Sequence, residues 1–537
     1  MERDFRRLAG GPFDLLVIGG GVYGSWVAYD AALRGLRVAL VEKDDWAAAT
    51  SSASSKLIHG GLRYLERGHF RLVRKNLDER RRLARLAPHR VRPLRFVLPV
   101  YAGERVGRRR LRLGLWIYDR LAGGNQPVAP HGFVSRDELL RSYGLRPDGL
   151  RGGFTFGDCQ IDDARFALEI VDGAIRAGTV AVNKARATAL LMERNAVAGA
   201  VIRDQLTGET LEVSAGVTVD CTGPWCRQLV GEASPRAPKR RLTKGVHLVM
   251  PPLPADEAFL LTTGKERRIV FLLPWYGRTL VGTTDTDFEG DPDDARVEQA
   301  DVDYLLSMAN RVLEGRPWKD EDVIASFVGL RTLAAKRNPS PSDVKREWRL
   351  VEPLGRLLTP IGGKYSSARS DAAVVVDRTF ELLGRAAPSC ATAERPFPWS
   401  PDRPYEEWSR DALLEGLAIG LDEETAETCQ LRHGSRVAEV YELIRRSPVL
   451  ARRVVADAPF CLAEVVHAVT GEMALTLEDV VRRRLPLLLI SRLSESQLSG
   501  IAGLAGKFVG WSDLRRRREI EAVLASCGSE GVIHETA

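Results

Sequence analysis

The sequence has few cysteines and lacks the segments that mark export or a membrane span. Its seven cysteines are scattered through 537 residues, and the closest pair, Cys221 and Cys226, lacks C-x-x-C spacing. A chain of this length needs no disulfide framework. No apolar h-region follows the start MERDFRRLAGGPFD, and no apolar run approaches ~18 residues. We therefore expect reduced thiols, a cytoplasmic protein, no secretory signal and no transmembrane helix.

Repeats and low-complexity tracts are also absent, which leaves an ordinary globular chain. Hydrophobic residues make up 44% and charged residues 28%, and the length predicts two or three domains. The formal charge of +7 is dominated by arginine and concerns association rather than fold. A solvated arginine-rich surface is the simpler interpretation, and an anionic partner is the alternative. No segment alternates arginines with stacking aromatics, so nucleic-acid binding is not predicted.

Three consecutive segments near the N-terminus indicate a strand, a helix and a second strand. Residues 15–18 are a short apolar run that ends in glycines, which is typical of a buried parallel strand. The apolar spacing of residues 25–33 suits a helix, and residues 37–41 form a second apolar run. Together they predict a complete βαβ unit.

The turn inside this unit has the spacing of a dinucleotide-binding loop. Gly19, Gly21 and Gly24 form G-x-G-x-x-G. The first glycine permits a tight turn, the second lets backbone amides approach a pyrophosphate, and the third lets helix and strand pack closely. Glu42 ends the second strand, where a carboxylate accepts hydrogen bonds from a ribose hydroxyl and disfavours NADP. A glycine-rich turn of another α/β protein is the alternative, but the complete unit predicts a bound dinucleotide.

A polar stretch, TSSASSKLIHGGLRYL, follows the second strand from Thr50 to Leu65. It is too polar for a core strand and does not fit an amphipathic helix. In a dinucleotide fold this segment passes close to the cofactor, so its hydroxyls and amides can satisfy pyrophosphate and ring heteroatoms. Its adjacent glycines let the backbone approach a flat ring. The predicted cofactor contacts in this stretch are Thr50, Ser51, Ser52, Ser54, Ser55, Lys56, His59, Gly60 and Gly61.

The βαβ unit and the polar stretch together resemble the FAD-dependent, quinone-linked glycerol-3-phosphate dehydrogenases, within the flavin oxidoreductases that are similar to D-amino-acid oxidase. Further segments resemble this family in chain order. They are FTFGDCQIDDARFAL (154–168), VDCTGPWC (219–226), KGVHLVMP (244–251), RIVFLLPWYGRTLVGTTDTDFEGDP (268–292), VGLRTL (328–333) and IGGKYSSAR (361–369). The resemblance covers about residues 12–385 closely and the tail more loosely.

The resemblance implies FAD as cofactor and glycerol 3-phosphate as substrate. The further cofactor contacts that it implies are Thr222, Gly223, Trp225, Gly363 and Lys364. The substrate contacts that it implies are Arg63, Tyr64, His247, Thr283, Arg331, Arg346 and Lys364. Arginine suits phosphate because its fork matches two oxygens at once, although a surface arginine is the alternative at each position in so basic a chain.

Oxidation of a secondary alcohol by a flavin needs a group that takes the hydroxyl proton, and histidine serves most often near neutral pH. The candidate is His247 in GVHLV, for which a satisfied core histidine is the alternative. The predicted catalytic set is His247, Arg331, Lys364 and Arg63. We interpret Asp162 and Asp163 as the start of a helix rather than as catalytic carboxylates, and we predict no metal site.

The predicted reaction is oxidation of sn-glycerol 3-phosphate to dihydroxyacetone phosphate, with hydride transfer to FAD and electrons passed to a quinone. The sequence departs from the family near the substrate end. Thr332 stands where the family usually has proline, AAKRNPSPSD replaces an acidic loop, and Ala368 stands where tyrosine is common. Two alternatives therefore stay open. One is a related FAD oxidase of a 2-hydroxy acid or amine that uses O2, and the other is a catalytically silent flavoprotein adaptor.

A basic segment, ERVGRRRLRLGLWIYDRL (104–121), joins five arginines to an aromatic and apolar part. This composition favours contact with an anionic membrane surface, and an ordinary cap helix is the alternative. The resemblance implies a peripheral protein on the inner face of the cell membrane, a quinone acceptor and a homodimer.

The predicted fold is α/β, with a Rossmann-like FAD-binding domain, an inserted antiparallel β cap and an all-α C-terminal domain. Residues 1–385 contain the first two, with the cap at about 91–150 and 241–325. A proline-rich linker covers 386–404. Residues 405–537 are the helical domain, because segments such as SRVAEVYELIRR repeat apolar residues at helical spacing.

Overall fold

The computed structural model describes residues 1–104, 106–232, 234–253, 255–262, 268–334 and 348–529. Its strands are β1 (Phe13–Ile18), β2 (Val38–Val41), β3 (Leu57–Ile58), β4 (Arg92–Tyr101), β5 (Gly132–Val134), β6 (Leu150–Gln160), β7 (Val180–Val182), β8 (Ala185–Glu193), β9 (Ala196–Asp204), β10 (Thr210–Asp220), β11 (Arg240–Met250), β12 (Ala258–Thr262), β13 (Ile269–Trp275), β14 (Arg278–Gly282), β15 (Thr286–Phe288), β16 (Ala325–Ala334), β17 (Arg349–Leu354) and β18 (Leu357–Ile361).

The helices are α1 (Val22–Leu33), α2 (Phe70–Leu86), α3 (Arg108–Ala122), α4 (Arg136–Tyr143), α5 (Asp163–Arg176), α6 (Gln299–Asn310), α7 (Ala368–Leu382), α8 (Tyr405–Ala418), α9 (Glu423–His433), α10 (Val437–Arg446), α11 (Leu462–Gly471), α12 (Leu487–Ile490), α13 (Glu495–Val509) and α14 (Asp513–Ser529). In the part of the chain that the structure describes, none of them has the length and apolar character needed to cross a bilayer.

The first sheet contains the glycine motif. Its central strands run parallel in the order β18–β10–β1–β2–β7, while β17 pairs antiparallel with β18, and β8 and β9 extend β10. The strands β1 and β2 are almost fully buried because α1, α5 and α7 pack together beside them. The predicted βαβ unit is therefore confirmed as β1, α1 and β2.

The second sheet is the predicted cap. Its order is β15–β11–β14–β13–β12–β4–β6–β3, with β16 beside β11 and β5 beside β6. These pairings are antiparallel except for β4 with β12. Successive residues of β4 point to opposite faces, so that Phe96 packs towards α2 and α3 while Val97 packs towards α4 and α6. The sheet continues past the predicted cap borders, to Gln160 in β6 and Ala334 in β16.

The C-terminal part is helical, as predicted, and is joined to the first domain through buried charges. Arg165 in α5 pairs with Glu472, and Asp45 after β2 pairs with Arg484. All four side chains are buried. Asp162 caps α5 by accepting a hydrogen bond from the Arg165 amide, which confirms that the acidic pair starts a helix.

Candidate active site

A cavity of about 330 Å³ lies where the loops of the first sheet meet the second sheet. Five separate parts of the chain line it. They are the glycine loop before α1, the polar stretch from Thr50 onwards, the turn after β10, the inner strands of the second sheet, and the loop between β18 and α7. Loops at the carboxyl ends of β1 and β10 therefore reach the cavity, as expected for a ligand site of an open parallel sheet.

The glycine loop has the geometry that its spacing predicts. Gly19 has φ +107°, and a Cβ there would lie 2.6 Å from the Cys221 carbonyl oxygen. A Cβ on Gly24 would overlap the Gly19 carbonyl, so its absence allows α1 to pack against β1. Gly21 lines the cavity directly before the N-terminus of α1, where the helix dipole favours negative charge. The tight turn and the close packing are confirmed, and the pyrophosphate contact stays a prediction.

Glu42 lies behind this loop rather than on the cavity wall. Its carboxylate accepts hydrogen bonds from the Gly20 amide at 2.6 Å and from the Asp44 amide at 2.8 Å. Burial raises its pKa to about 7. The carboxylate thus ties the glycine loop to the end of β2, and its contact with a ribose remains a prediction.

Each hydroxyl of the polar stretch has its own partner. The pairs are Thr50 Oγ1 with Leu330 O at 2.7 Å, Ser51 Oγ with Val22 N at 2.9 Å, Ser52 Oγ with Ala49 O at 3.2 Å, Ser54 Oγ with Asp163 Oδ2 at 2.7 Å, and Ser55 Oγ with His247 Nε2 at 2.9 Å. All but Ser52 line the cavity, together with His59 and Gly61. The stretch therefore forms one wall of the site.

Two residues of this stretch with predicted cofactor contacts lie outside the cavity lining. Lys56 is buried away from the cavity lining, where its Nζ lies 2.6 Å from Asp163 Oδ1 and 4.6 Å from the Trp275 ring centroid. Its charge is thus balanced by a carboxylate, and its contact with a pyrophosphate stays a prediction. Gly60 is also buried outside the lining, and a Cβ there would overlap Leu77 and the Tyr118 hydroxyl. Its small size serves packing under α2 and α3 rather than approach to a ring.

The turn after β10 contributes less than predicted. Gly223 lines the cavity with φ +57°. Thr222 instead bonds Asp220 through its amide and its hydroxyl, at 3.0 and 2.6 Å. The Trp225 ring packs against Lys43 Nζ at 3.8 Å and does not line the cavity. Of the three residues predicted here, the structure brings only Gly223 to the site.

Three basic side chains line the same cavity. Arg63, Arg331 and Lys364 all line it, as does Tyr64, whose ring centroid lies 3.5 Å from Lys364 Nζ. These residues come from the turn after the polar stretch, from β16 and from the loop before α7. Sequence positions far apart thus supply one cationic surface. Arg346 lies outside the described residues.

The Arg331 guanidinium is held by the segment that follows β14. Its Nη2 donates to Thr283 Oγ1 at 2.9 Å, and its Nη1 lies 3.3 Å from the Thr284 carbonyl and 3.4 Å from Asp285 Oδ1. Thr283, Asp285 and Thr332 line the cavity as well. Sequence reasoning missed Asp285, whose position directly after the two threonines was the available signal.

His247 is fixed in the middle of β11. It pairs in register with Gly282 of β14 on one side and with Phe327 of β16 on the other. Its ring stacks on Phe327 with centroids 5.0 Å apart and planes 14° apart, and a Cβ on Gly282 would overlap it. Burial, the Arg331 charge and the Lys56 charge hold the pKa of His247 well below its usual range. The imidazole is therefore neutral, and it lines the cavity.

Comparisons with known proteins agree with this geometry. Residues 14–350 match the family described as FAD dependent oxidoreductase, and residues 390–516 match the C-terminal domain of alpha-glycerophosphate oxidase. The chain is 32% identical to a glycerol-3-phosphate dehydrogenase of Synechocystis, over 97% of both chains. It is 34% identical to glycerol-3-phosphate dehydrogenase 2 of Mycobacterium tuberculosis, over 98% of this chain and 90% of the relative.

This chain belongs to the FAD-dependent glycerol-3-phosphate dehydrogenase family. A solved structure with the same architecture is the glycerol-3-phosphate dehydrogenase of Bacillus halodurans complexed with FAD, with TM-score 0.80, 26% identity, and coverage of 99% of this chain and 98% of that one. The α-glycerophosphate oxidase of Mycoplasma pneumoniae shares the fold at 18% identity and TM-score 0.53.

The cavity fits the FAD cofactor of this family. Glycines stand where backbone must come close to a ligand, at Gly21 and Gly223 on one side and at Gly363 on the other. A Cβ on Gly363 would overlap the Tyr23 hydroxyl, and φ there is +95°. Tyr23 lines the cavity and donates to buried Asp371 at 2.7 Å. Sequence reasoning did not single out Tyr23, although it stands inside the glycine motif.

Proposed function

We propose that this protein oxidises sn-glycerol 3-phosphate to dihydroxyacetone phosphate and passes the electrons to a quinone at a membrane surface. The observation that carries the substrate assignment is the convergence of Arg63, Arg331 and Lys364 with neutral His247 on one cavity. A phosphate dianion needs fixed cations, and a secondary alcohol needs a proton acceptor. The names of the relatives point to the same substrate.

The residues divide the work between binding and proton transfer. The guanidinium and ammonium groups hold the phosphate and fix the carbinol carbon in the cavity. Thr283 and Asp285 orient the Arg331 guanidinium, and His247 accepts the hydroxyl proton. Bound FAD supplies the hydride acceptor. Thr50, Ser51, Gly61 and Gly363 are the wall residues that we assign to the cofactor.

An apolar groove beside the cavity supports the quinone assignment. The groove has a volume of about 260 Å³ and includes Phe70, Leu113 and Ile117 among its lining residues. It shares Arg63 and Ile269 with the active-site cavity. A quinone ring bound in this groove would therefore lie next to the flavin site.

The outer face of α3 supports the membrane assignment. Leu113 is 56% exposed and Trp116 is 49% exposed, while Arg108 and Arg109 at the start of the helix are exposed as well. Arginines beside exposed apolar side chains suit the headgroup region of an anionic bilayer. A peripheral position on the inner face of the membrane follows from this proposal, and a homodimer stays a prediction.

The substrate assignment is tested by anaerobic reduction of the bound flavin. We expect glycerol 3-phosphate to bleach the absorbance near about 450 nm, and glycerol and lactate to leave it unchanged. Bleaching by a 2-hydroxy acid or an amine alone would support the related oxidase. Bound flavin that no substrate reduces would support the adaptor.

The quinone assignment is tested by filling the groove. Gly114 lies in α3 on the groove wall, and a Cβ there would meet no atom within 4 Å. Gly114→Leu should therefore slow reduction of a soluble quinone analogue while anaerobic bleaching by glycerol 3-phosphate keeps its rate. Gly500→Leu is the control, because Gly500 is an exposed helical glycine with equally open space. Equal quinone rates in the two variants would contradict the assignment.

The membrane assignment is tested by sedimentation with vesicles. Trp116→Ser should weaken binding to vesicles of anionic lipid and change nothing with vesicles of zwitterionic lipid. Met192→Ser is the matched control, because Met192 is similarly exposed, at 50%, but lies on β8 of the first sheet. Equal binding of both variants would contradict a membrane role for α3.

A further inference from the structure

Of the five serine and threonine hydroxyls in the polar stretch, one lies beside an ionisable ring. Thr50 and Ser52 donate to backbone carbonyls, Ser51 accepts from a backbone amide, and Ser54 bonds a carboxylate. The Ser55 Oγ lies 2.9 Å from His247 Nε2 instead, and both residues line the cavity. The other four bond backbone groups or a carboxylate, which is how structural hydroxyls are used, so the Ser55 contact with an imidazole suggests a part in the chemistry.

The backbone on both sides of Ser55 is anchored. Ser54 bonds Asp163 Oδ2 through its amide at 3.1 Å and through its hydroxyl at 2.7 Å. Lys56 pairs with the same carboxylate, and its carbonyl accepts from the Ile161 amide at 2.9 Å. The Lys56 amide donates to Ser54 Oγ at 2.9 Å. Because both neighbours of Ser55 are held, its hydroxyl has a defined position opposite His247.

The imidazole can be reached by a proton at only one nitrogen. Within the described residues, Nδ1 of His247 is buried and has no hydrogen-bond partner. Phe327 covers one face of the ring by stacking, and Gly282 packs beside Cδ2, so neither is needed to explain why Nδ1 is buried. A proton from a molecule in the cavity must therefore enter at Nε2, and Ser55 Oγ stands at that atom.

We propose that Ser55 is a proton relay between the substrate hydroxyl and His247. In this step the substrate O–H bond breaks and its proton passes to Ser55 Oγ, while the hydrogen of Ser55 passes to His247 Nε2. Ser55 ends neutral and His247 ends as an imidazolium. The carbinol carbon is oxidised to a ketone as its C–H hydrogen leaves with the electron pair for the FAD cofactor. The relay rests on the proposed function, since it needs an alcohol substrate in the cavity.

The relay sets the tautomer of the resting histidine. For Nε2 to accept a proton, the hydrogen of the neutral imidazole must sit on Nδ1, and the Ser55 hydroxyl must donate to Nε2. A Ser55 that served only the cofactor would place no such demand on His247. The tautomer is therefore a readout that does not depend on turnover.

The first test compares Ser55→Ala with Ser55→Thr, which keeps the hydroxyl, and with Ser307→Ala, an exposed hydroxyl of α6. We expect S55A to retain FAD and to slow anaerobic flavin reduction by glycerol 3-phosphate about 100-fold or more, which is the range of general acid–base assistance. S55T should be faster than S55A, and S307A should match the unaltered protein. A rate for S55A within about threefold of the unaltered protein would overturn the relay. Loss of FAD from S55A would assign the hydroxyl to the cofactor and overturn it as well.

The second test is ¹⁵N NMR of the histidine-labelled protein, with His247→Gln identifying the signal. We expect the hydrogen on Nδ1 in the unaltered protein and a changed Nε2 signal in S55A. A hydrogen on Nε2 in the unaltered protein would overturn the relay. Failure of the proposed function looks different, because glycerol 3-phosphate would then leave the flavin of the unaltered protein oxidised whatever the tautomer.

Discussion

Replacing Arg165 by methionine should loosen the C-terminal helical domain and weaken retention of FAD. The guanidinium donates to both carboxylate oxygens of Glu472, at 2.6 and 2.7 Å, and to the Arg432 carbonyl at 2.9 and 3.1 Å. All of these groups are buried. Arg165 lies in α5, whose first residue, Asp163, anchors the cavity wall through Ser54. Loss of the contacts between Arg165 and the helical domain should therefore disturb α5 and, through Asp163 and Ser54, the wall of the cofactor site.

The magnitude follows from the charge that the substitution leaves behind. Although burial raises the pKa of Glu472, the Arg165 charge and bonds from His433 and His467 hold that pKa well below its usual range. Methionine fills similar space but leaves the carboxylate without its guanidinium. Breaking a buried pair in this way costs about 3–5 kcal/mol. Replacing both partners removes the orphaned charge, so Arg165→Met with Glu472→Met should regain at least half of the loss.

The assay is urea unfolding of the FAD-loaded protein, followed by tryptophan and flavin fluorescence. A multidomain chain need not unfold in one step, so the shift of each transition midpoint is multiplied by its own slope. Arg446→Met is the control, since its pair with Glu442 is exposed and screened by solvent. A loss under about 1 kcal/mol for R165M, or a double variant as unstable as R165M, would refute the argument.

Three further outcomes are expected at the cavity. Arg331→Met should raise the KM for glycerol 3-phosphate about 10- to 100-fold while FAD stays bound, because one charged hydrogen-bonding partner of the phosphate is lost; an unchanged KM in anaerobic titration would place the phosphate elsewhere. The pKa of His247 lies well below 6.5, so the imidazole stays neutral as the pH falls, and flavin reduction at saturating substrate should hold its rate from about pH 8 to about pH 6. In R331M the loss of the cation should raise the pKa of His247, so the rate should begin to fall at a higher pH than in the unaltered protein. An unchanged pH profile would show that the Arg331 charge does not act on His247. Gly363→Ala should weaken FAD binding, whereas Gly384→Ala, with φ +66° and no neighbour within 4 Å of a Cβ, should cost only local strain; equal FAD affinity in the two would remove Gly363 from the cofactor site.

The sequence predicted best the roles of residues that depend on near neighbours in the chain. The glycine spacing predicts the tight turn at Gly19 and the close packing at Gly24, and both are confirmed. Asp162 is confirmed as a helix cap for the same reason, since the amide that it binds is three residues away. The helical character of the C-terminal part also follows from local spacing.

The same reasoning did not find partners that are distant in the chain. Lys56 was predicted at the cofactor because of its hydroxyl-rich neighbours, yet its charge meets Asp163. Gly60 was predicted beside a flat ring, yet its missing Cβ makes room for Leu77 and Tyr118. In both cases the partner lies far along the chain, at the start of α5 for Lys56 and in α2 and α3 for Gly60.

The sequence by itself indicated a βαβ unit and a bound dinucleotide, because these depend on spacing within short segments, and its resemblance to a known family indicated the full fold class and FAD. The tertiary structure decided what each polar group faces. Strand register places His247 between Gly282 and Phe327. The packing of the polar stretch against the second sheet brings Ser55 Oγ to Nε2 of His247. Hydrogen bonds act over about 3 Å, whereas these residues are far apart along the chain, so only folding could select their partners.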